Sequence, residues 1–454
     1  MRTRALVLST AAIVAVAACT AATDSSGGVS PTHAARSATS AKITDWTTYH
    51  GGGGRAGYDG RMPAAKGTPR IRATLRLDGA VYASPLVVDG RTIVATENDT
   101  VYAFNAKNHK VWSRHLAAPE PQNQLPCGNI DPLGITGTPV YDRRTGLIYV
   151  AAETSGAHHT LFALRAKNGT VAFHRSLDLA GVDRHAMQER GALALANGRV
   201  YVPFGGLAGD CADYKGRVVG YAAGGKGRPV SYTVPTAREA GMWTPPGPTV
   251  DGSGHLFVSA GNGASGPGDK YDYSDSVTEL GPSLHRLQIF SPRTWATDNQ
   301  ADLDLGSQGP ALDGKWIFIA GKSGTAYVLR KSHLGGIGGA VSSSLLCTSF
   351  GGTAVHAGVV YVPCTDGVRA VRIDSHGRLH VLWHADSGVV GSPVIGGNRV
   401  WSVAGDTLYG LSLKTGRTLE QVRTGDTNRF ATPALSGRRV LVGTLTGLTV
   451  VRTS

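Results

Sequence analysis

The chain has 454 residues, of which 62 are Gly and only 17% are charged. That length exceeds an ordinary domain of roughly 100–200 residues, so it implies several domains or one repeat architecture. Abundant glycine and sparse charge suit many short strands joined by tight turns, which argues against a helical bundle. The net charge of +13 comes from scattered basic residues, a pattern that excludes a dense nucleic-acid patch. It is compatible with attraction to anionic envelope polymers or lipid head groups.

The N-terminus reads as an address. Arg2 and Arg4 precede an apolar run over residues 5–18, and small residues lead to Cys19. Val16-Ala17-Ala18-Cys19 resembles the lipobox of bacterial lipoproteins, which implies a signal peptide over 1–18 and lipidation of Cys19. Residues 20–42 are rich in Ser, Thr, Ala and Gly and lack apolar periodicity, so 19–43 is expected to be a flexible tether. The chain is therefore expected to be exported and lipid-anchored, at the outer face of the cytoplasmic membrane or in the cell envelope. Elsewhere no apolar run reaches the ~18–20 residues of a spanning helix, which predicts a soluble body.

Residues 44–454 show one repeated pattern. Eight segments carry a turn with Gly and then a strand, such as Thr92-Ile-Val-Ala, Leu147-Ile-Tyr-Val, Trp316-Ile-Phe-Ile and Arg439-Val-Leu-Val. A second strand follows, as in Thr100-Val-Tyr-Ala-Phe and Thr407-Leu-Tyr-Gly-Leu. Upstream of most repeats lies a small residue followed by Pro, as at Ser84-Pro85, Thr138-Pro139, Ser392-Pro393 and Thr432-Pro433, suited to opening an innermost strand. Pro393 and Pro433 set a 40-residue period, the length of a propeller blade of ~40–50 residues. The last repeat lacks a fourth strand. Residues 69–77 alternate apolar and basic side chains and belong to no repeat, so they are expected to complete the last blade and close the ring. The reading is an all-β, eight-bladed β-propeller of four-stranded antiparallel blades.

Blade 1, from Tyr82-Ala-Ser-Pro-Leu-Val-Val-Asp-Gly to Trp112, resembles the PQQ-like (quinoprotein-like) repeat family from end to end, and Lys414-Thr415-Gly416 keeps that family's turn. The resemblance covers about residues 80–454 and implies one of two functions. One is a binding or scaffold module of the cell envelope, as in BamB-like lipoproteins, engaging an envelope protein or a small ligand. The alternative is an exported alcohol or sugar dehydrogenase-like oxidoreductase dependent on PQQ and Ca²⁺. Ala260-Gly261-Asn262-Gly263 resembles the loop of PQQ-dependent alcohol dehydrogenases whose asparagine helps bind Ca²⁺, and only Asn262 carries over. Asp269, Asp272 and Asp275 follow it and complete a candidate oxygen-ligand set for a hard cation. Asp302 and Asp304 lie in a stretch comparable to the family's catalytic aspartate motif without matching it, and no two cysteines are adjacent to cover a quinone.

The long insertions, at 116–134, 177–189, 205–216 and 261–275, cluster around blades 2 to 4 and on one face, where a ligand or partner is expected. Arg190 and Trp243 stand near inner strands close to the channel mouth, suited to pairing with a carboxylate and to stacking. Cys127, Cys211, Cys347 and Cys364 allow three pairings in an oxidising compartment. The strand count places Cys127 with Cys211 on one face and Cys347 with Cys364 on neighbouring blades, and those pairs are expected.

Overall fold

The computed structural model describes residues 44–454. The expected signal peptide, the tether and Cys19 lie outside the described residues. Eight sheets of the same pattern follow one another in chain order, each an antiparallel meander that begins at the channel and ends at the rim. Blade 1 shows the unit: Leu86–Val88 innermost, then Arg91–Ala95, Thr100–Phe104 and Lys110–His115 outermost. The proline steps stand immediately before the inner strands, with Pro85 before Leu86 and Pro433 before Ala434–Ser436. A residue with no N–H fits there because no ladder bond is lost.

The middle strands of a blade are buried on both faces, which explains their near-continuous apolar sequence. Trp316–Ala320 and Val359–Cys364 are buried throughout, whereas the outermost Thr418–Arg423 alternates with solvent. Blades dock through an aromatic on the outer strand of one and a glycine turn of the next. Trp112 of blade 1 donates its indole N–H to Ala166 O of blade 2 at 3.1 Å and lies over Gly169. Gly169 adopts φ 71°, and a Cβ there would stand 2.5 Å from the Trp112 ring, so the turn needs glycine on both counts. Phe173 on Gly225 and Trp383 on Gly416 repeat the arrangement. Truncating such an anchor typically costs about 3–5 kcal/mol.

The ring closes as the alternating segment requires. Arg70–Arg76 pairs antiparallel with Gly447–Arg452 and supplies the fourth strand of blade 8. The chain before it forms a strap across one end of the channel. Trp46 bridges Val87 of blade 1, and Thr47 O, Gly53 O, Ala56 O and Gly57 O accept from Tyr141, Val250, Val355 and Ile395 of blades 2, 4, 6 and 7. Buried Arg55 donates to Thr48 Oγ1, Tyr49 O and Leu193 O, the last on blade 3. Apart from Leu193, which precedes an inner strand, these groups lie on inner strands next to the hairpin between the first and second strands of their blades. The opposite face, made of second-to-third-strand loops and interblade connections, stays open. Among the described residues no helix is long and apolar enough to cross a membrane.

Candidate functional site

At the open face the channel widens into a cavity of about 500 Å³. Gln188, Arg190, Trp243, Asp302, Lys322, Phe350, Arg429 and Phe430 line it, drawn from blades on every side of the ring. The aromatics and cations interleave. The Arg190 guanidinium lies 4.5 Å from the Phe430 ring centre, and that of Arg429 lies 4.0 Å from Phe350. Trp243 meets Phe430 edge-on at 6.1 Å, and Lys322 Nζ stands 6.0 Å from the Trp243 ring. Trp243 is seated by a close approach of backbone, since a Cβ on Gly205 would come 2.7 Å from its own Cβ.

One rim of the cavity is polar and placed by the connection between blades 4 and 5. The short helix Trp295–Ala301 ends there because Asp302 turns left-handed at φ 55° and its N–H returns to Asp298 O. Asp302 Oδ1 accepts from Asn262 Nδ2 at 2.5 Å and from Lys322. Lys322 Nζ also lies 2.8 Å from Asp304 Oδ2. Burial pushes the Asp304 carboxyl up, and Lys322 only partly offsets this; burial lowers the Lys322 ammonium, but Asp304 and Asp302 outweigh it and hold it charged. Asn262 Oδ1 and Asp304 Oδ1 are buried without a hydrogen-bond partner.

Behind Arg190 runs a seam of buried acids between blades 1, 2 and 3. Glu97 accepts from Gly134 N at 2.9 Å and Thr136 Oγ1 at 3.1 Å, yet burial still raises its carboxyl to about 7. Burial and the Glu97 charge raise Asp99 to about 9. Glu153 and Glu189 are also pushed up by burial. His159 is buried beside Glu153, 3.2 Å away; burial would lower it, but Glu153 and Asp178 raise it to about 9. Burial lowers Arg190, while Tyr82 and Glu97 support its charge.

Residues 60–133 and 338–454 match the family model described as outer membrane protein assembly factor BamB. Among solved structures the fold is similar to quinohemoprotein alcohol dehydrogenase from Comamonas testosteroni, at 17% identity and TM-score 0.69, covering 91% of this chain and 81% of that one. It is similar to BamB from Moraxella catarrhalis at 15% identity and TM-score 0.59, covering 86% and 98%. A europium-containing methanol dehydrogenase aligns at 13% identity and TM-score 0.67, covering 90% and 98%. No curated protein matches the chain. The matched stretches and the fold are those of a quinoprotein-like propeller. At these identities the solved structures share its fold, and they include both BamB and dehydrogenases.

In this quinoprotein-like propeller the residues singled out from sequence separate into two groups. Arg190 and Trp243 both line the cavity, and Asn262 stands at its polar rim. Asp269 and Asp272 are engaged within their own loop, whereas Asp275 lies beside Asp304, with Oδ2 buried and unpartnered. Asp269 is exposed and accepts from Gly266 N at 2.9 Å. Asp272 is occupied by Thr236 Oγ1, Ser265 N and Ser274 and holds the loop in shape. Asp275 is wholly buried and accepts from Leu305 N at 2.7 Å. Among the described residues no group of three or more His, Cys, Asp or Glu gathers in a metal-binding arrangement.

Sequence reasoning passed over Lys322, Phe350 and Phe430. A signal for Lys322 was present: Ala320-Gly321-Lys322 in blade 5 repeats the register of Ala260-Gly261-Asn262 in blade 4, each just after a second strand. The two disulfides are those expected, Cys127–Cys211 and Cys347–Cys364, with Cα atoms 6.1 and 5.7 Å apart. The first ties the 116–134 loop to the 205–216 loop beside the cavity.

Proposed function

We propose that this quinoprotein-like propeller is an exported cell-envelope lipoprotein, anchored at Cys19 behind a 19–43 tether, and that it acts as a binding module. The observation that carries this reading is the mouth of the channel. Three cations (Arg190, Lys322 and Arg429) and three aromatics (Trp243, Phe350 and Phe430) converge on one cavity, while the strap covers the other end. Cations interleaved with aromatic faces select a planar, negatively charged group, either a small ligand or the tip of a partner protein. The acids on the polar rim of the cavity are already engaged, Asp304 by Lys322 and Asp302 by Lys322 and Asn262. This favours recognition over turnover.

A second reading, a PQQ- and Ca²⁺-dependent dehydrogenase, is favoured by one feature. Asn262 Oδ1 and Asp304 Oδ1 are buried, unpartnered oxygens of the kind a hard cation uses. The fit is partial. The Lys322 ammonium already supplies the positive charge between Asp302 and Asp304, and Asp269 and Asp272 are engaged within their own loop. When bound, the quinone would supply the redox chemistry; Trp243 would offer it a stacking face and Arg190, Lys322 and Arg429 would hold its carboxylates.

Trp fluorescence titration with PQQ as the planar anionic probe separates the readings. The binding module predicts quenching that persists in EDTA, weakens about tenfold or more in Arg190→Ala/Arg429→Ala, and brings no dye reduction with alcohols. Binding that requires Ca²⁺, is lost in Asn262→Ala and supports dye reduction would establish the dehydrogenase. Absence of binding in both conditions would sink both assignments of this cavity.

A further inference from the structure

The strap face carries a second surface, built where the two ends of the described chain meet on blade 8. Arg439, Arg452 and Arg70 stand directly opposite one another across three adjacent strands. Like charges in register oppose pairing, so such a row is costly unless an anion answers it. Lys66 and Arg72 extend the row, and Lys66, Arg70, Arg72 and Arg452 are all exposed. Elsewhere on this face cations meet acids: Arg143 with Asp45 at 2.7 Å, Arg399 with Glu420 at 2.8 Å, Lys331 with Asp251 at 3.7 Å. The blade 8 row has no such partner among the described residues. A groove of about 610 Å³ runs along it, with the terminal residue Ser454 in its lining. Ile71, 48% exposed between Arg70 and Arg72, adds an apolar side chain at the same edge.

We propose that this edge of blade 8 rests on an anionic lipid bilayer. Cations flanking an exposed aliphatic side chain match the boundary of anionic head groups and acyl chains, where each basic residue adds to surface attraction. The position of Thr44 points the same way. It is held on blade 8 by paired hydrogen bonds with Ser436 Oγ, at 3.1 Å from its N–H and 2.7 Å to its carbonyl. The proposed tether therefore joins the body on the blade that carries the arginine row. With blade 8 on the membrane, the channel mouth on the opposite face is presented away from it. The docking surface depends on the lipoprotein reading only for the position of the tether.

The test uses residues 19–454 with Cys19→Ala, so that neither the apolar run nor lipidation affects it. This protein is sedimented with vesicles of phosphatidylglycerol and phosphatidylcholine, and with phosphatidylcholine alone. The expected result is binding only to the anionic vesicles, falling as salt rises. Arg70→Glu/Arg72→Glu/Arg452→Glu is expected to weaken it by about tenfold or more. The equally charge-reversed Lys107→Glu/Lys110→Glu/Arg165→Glu, on the outer edges of blades 1 and 2, is expected to leave it nearly unchanged. Circular dichroism melts confirm that each variant is folded, and Arg70→Gln/Arg72→Gln/Arg452→Gln is expected to fall between. Equal losses from both charge-reversed sets would show attraction to net charge alone and overturn the proposal. So would an absence of anionic-vesicle binding, or binding to soluble polyphosphate without binding to vesicles.

Discussion

Blades 1 to 3 and blades 6 to 8 are made of the same four-strand unit, but they treat their carboxylates in opposite ways. In blades 6 and 7 the shifted acids are surface groups held below their usual range, Asp366 by Arg369, Asp374 by His380 and neighbouring backbone N–H groups, and Asp386 by Thr418. In blades 1 to 3 a group of buried acids is raised instead, Glu97 to about 7 and Asp99 to about 9, with Glu153 and Glu189 moving the same way, while Asp178 beside His159 is held low. The regular blades also fall inside the stretches 60–133 and 338–454 that match the family model, whereas most of blades 2 to 5 lies outside them. The lesson is that one repeat can serve as plain scaffold on one side of a ring. On the other it can hold a polar interior that costs stability, next to the residues that line the cavity.

The largest expected effect compares the two disulfides. Cys127 and Cys211 are 84 residues apart, and their bond pins the elaborated loops; Cys347 and Cys364 are only 17 apart, on blades 5 and 6. Chain entropy predicts losses of about 4–5 kcal/mol for Cys127→Ala/Cys211→Ala and about 3 kcal/mol for Cys347→Ala/Cys364→Ala. Denaturant unfolding of the two variants measures both. Equal losses would show that the elaborated loops gain nothing special from their tie.

A smaller effect follows from the acid seam. A carboxyl whose folded pKa is raised favours the folded state in its protonated form. Its contribution is complete below the unfolded value and is lost as pH rises through the folded one. For Glu97 that window runs from 4.5 to about 7, and for Asp99 from 3.8 to about 9. His159, raised from 6.5 to about 9, loses its contribution in the same direction over the upper part of that range. The protein is therefore expected to melt at higher temperature at pH 5 than at pH 9, with hydrogen exchange accelerating first in blades 1 to 3. Glu97→Gln should remove its own share of this slope between 4.5 and about 7, a change on the order of 1–3 kcal/mol, and leave that of Asp99. A melting temperature that stays flat from pH 5 to 9 would contradict the picture of an uncompensated seam.

The smallest effect is the control on the other side of the ring. Asp374 lies partly exposed at the surface, and its hydrogen bonds with His380 and the 376–378 backbone compete with water. Asp374→Asn is expected to leave both the melting temperature and its pH slope unchanged. A clear loss would mean that the regular blades also depend on their charges, and the contrast between the two regions would narrow.

Local sequence determined the blades. Alternation, β-branched strands, Pro before the inner strand and Gly in the turns act over a few residues, so the repeat, its four-stranded form and the orphan strand 69–77 were legible from order alone. The disulfide partners followed from counting strands, because a meander fixes which loops share a face. Arg190 and Trp243 could be placed near the mouth for the same reason. The tertiary structure decided the rest. Closing the ring brings Lys322, Phe350 and Phe430 against Arg190 from far along the chain, and it sets Arg70 beside Arg452 although almost the whole sequence separates them. It also made Asp272 a strut of its own loop and tied Asp275 to Leu305, next to Asp304. Hydrophobic period and turn chemistry are short-range forces, readable in a line of residues. Convergence of loop tips and the protonation of buried acids depend on which surfaces the closed ring removes from water, and no stretch of sequence contains that alone.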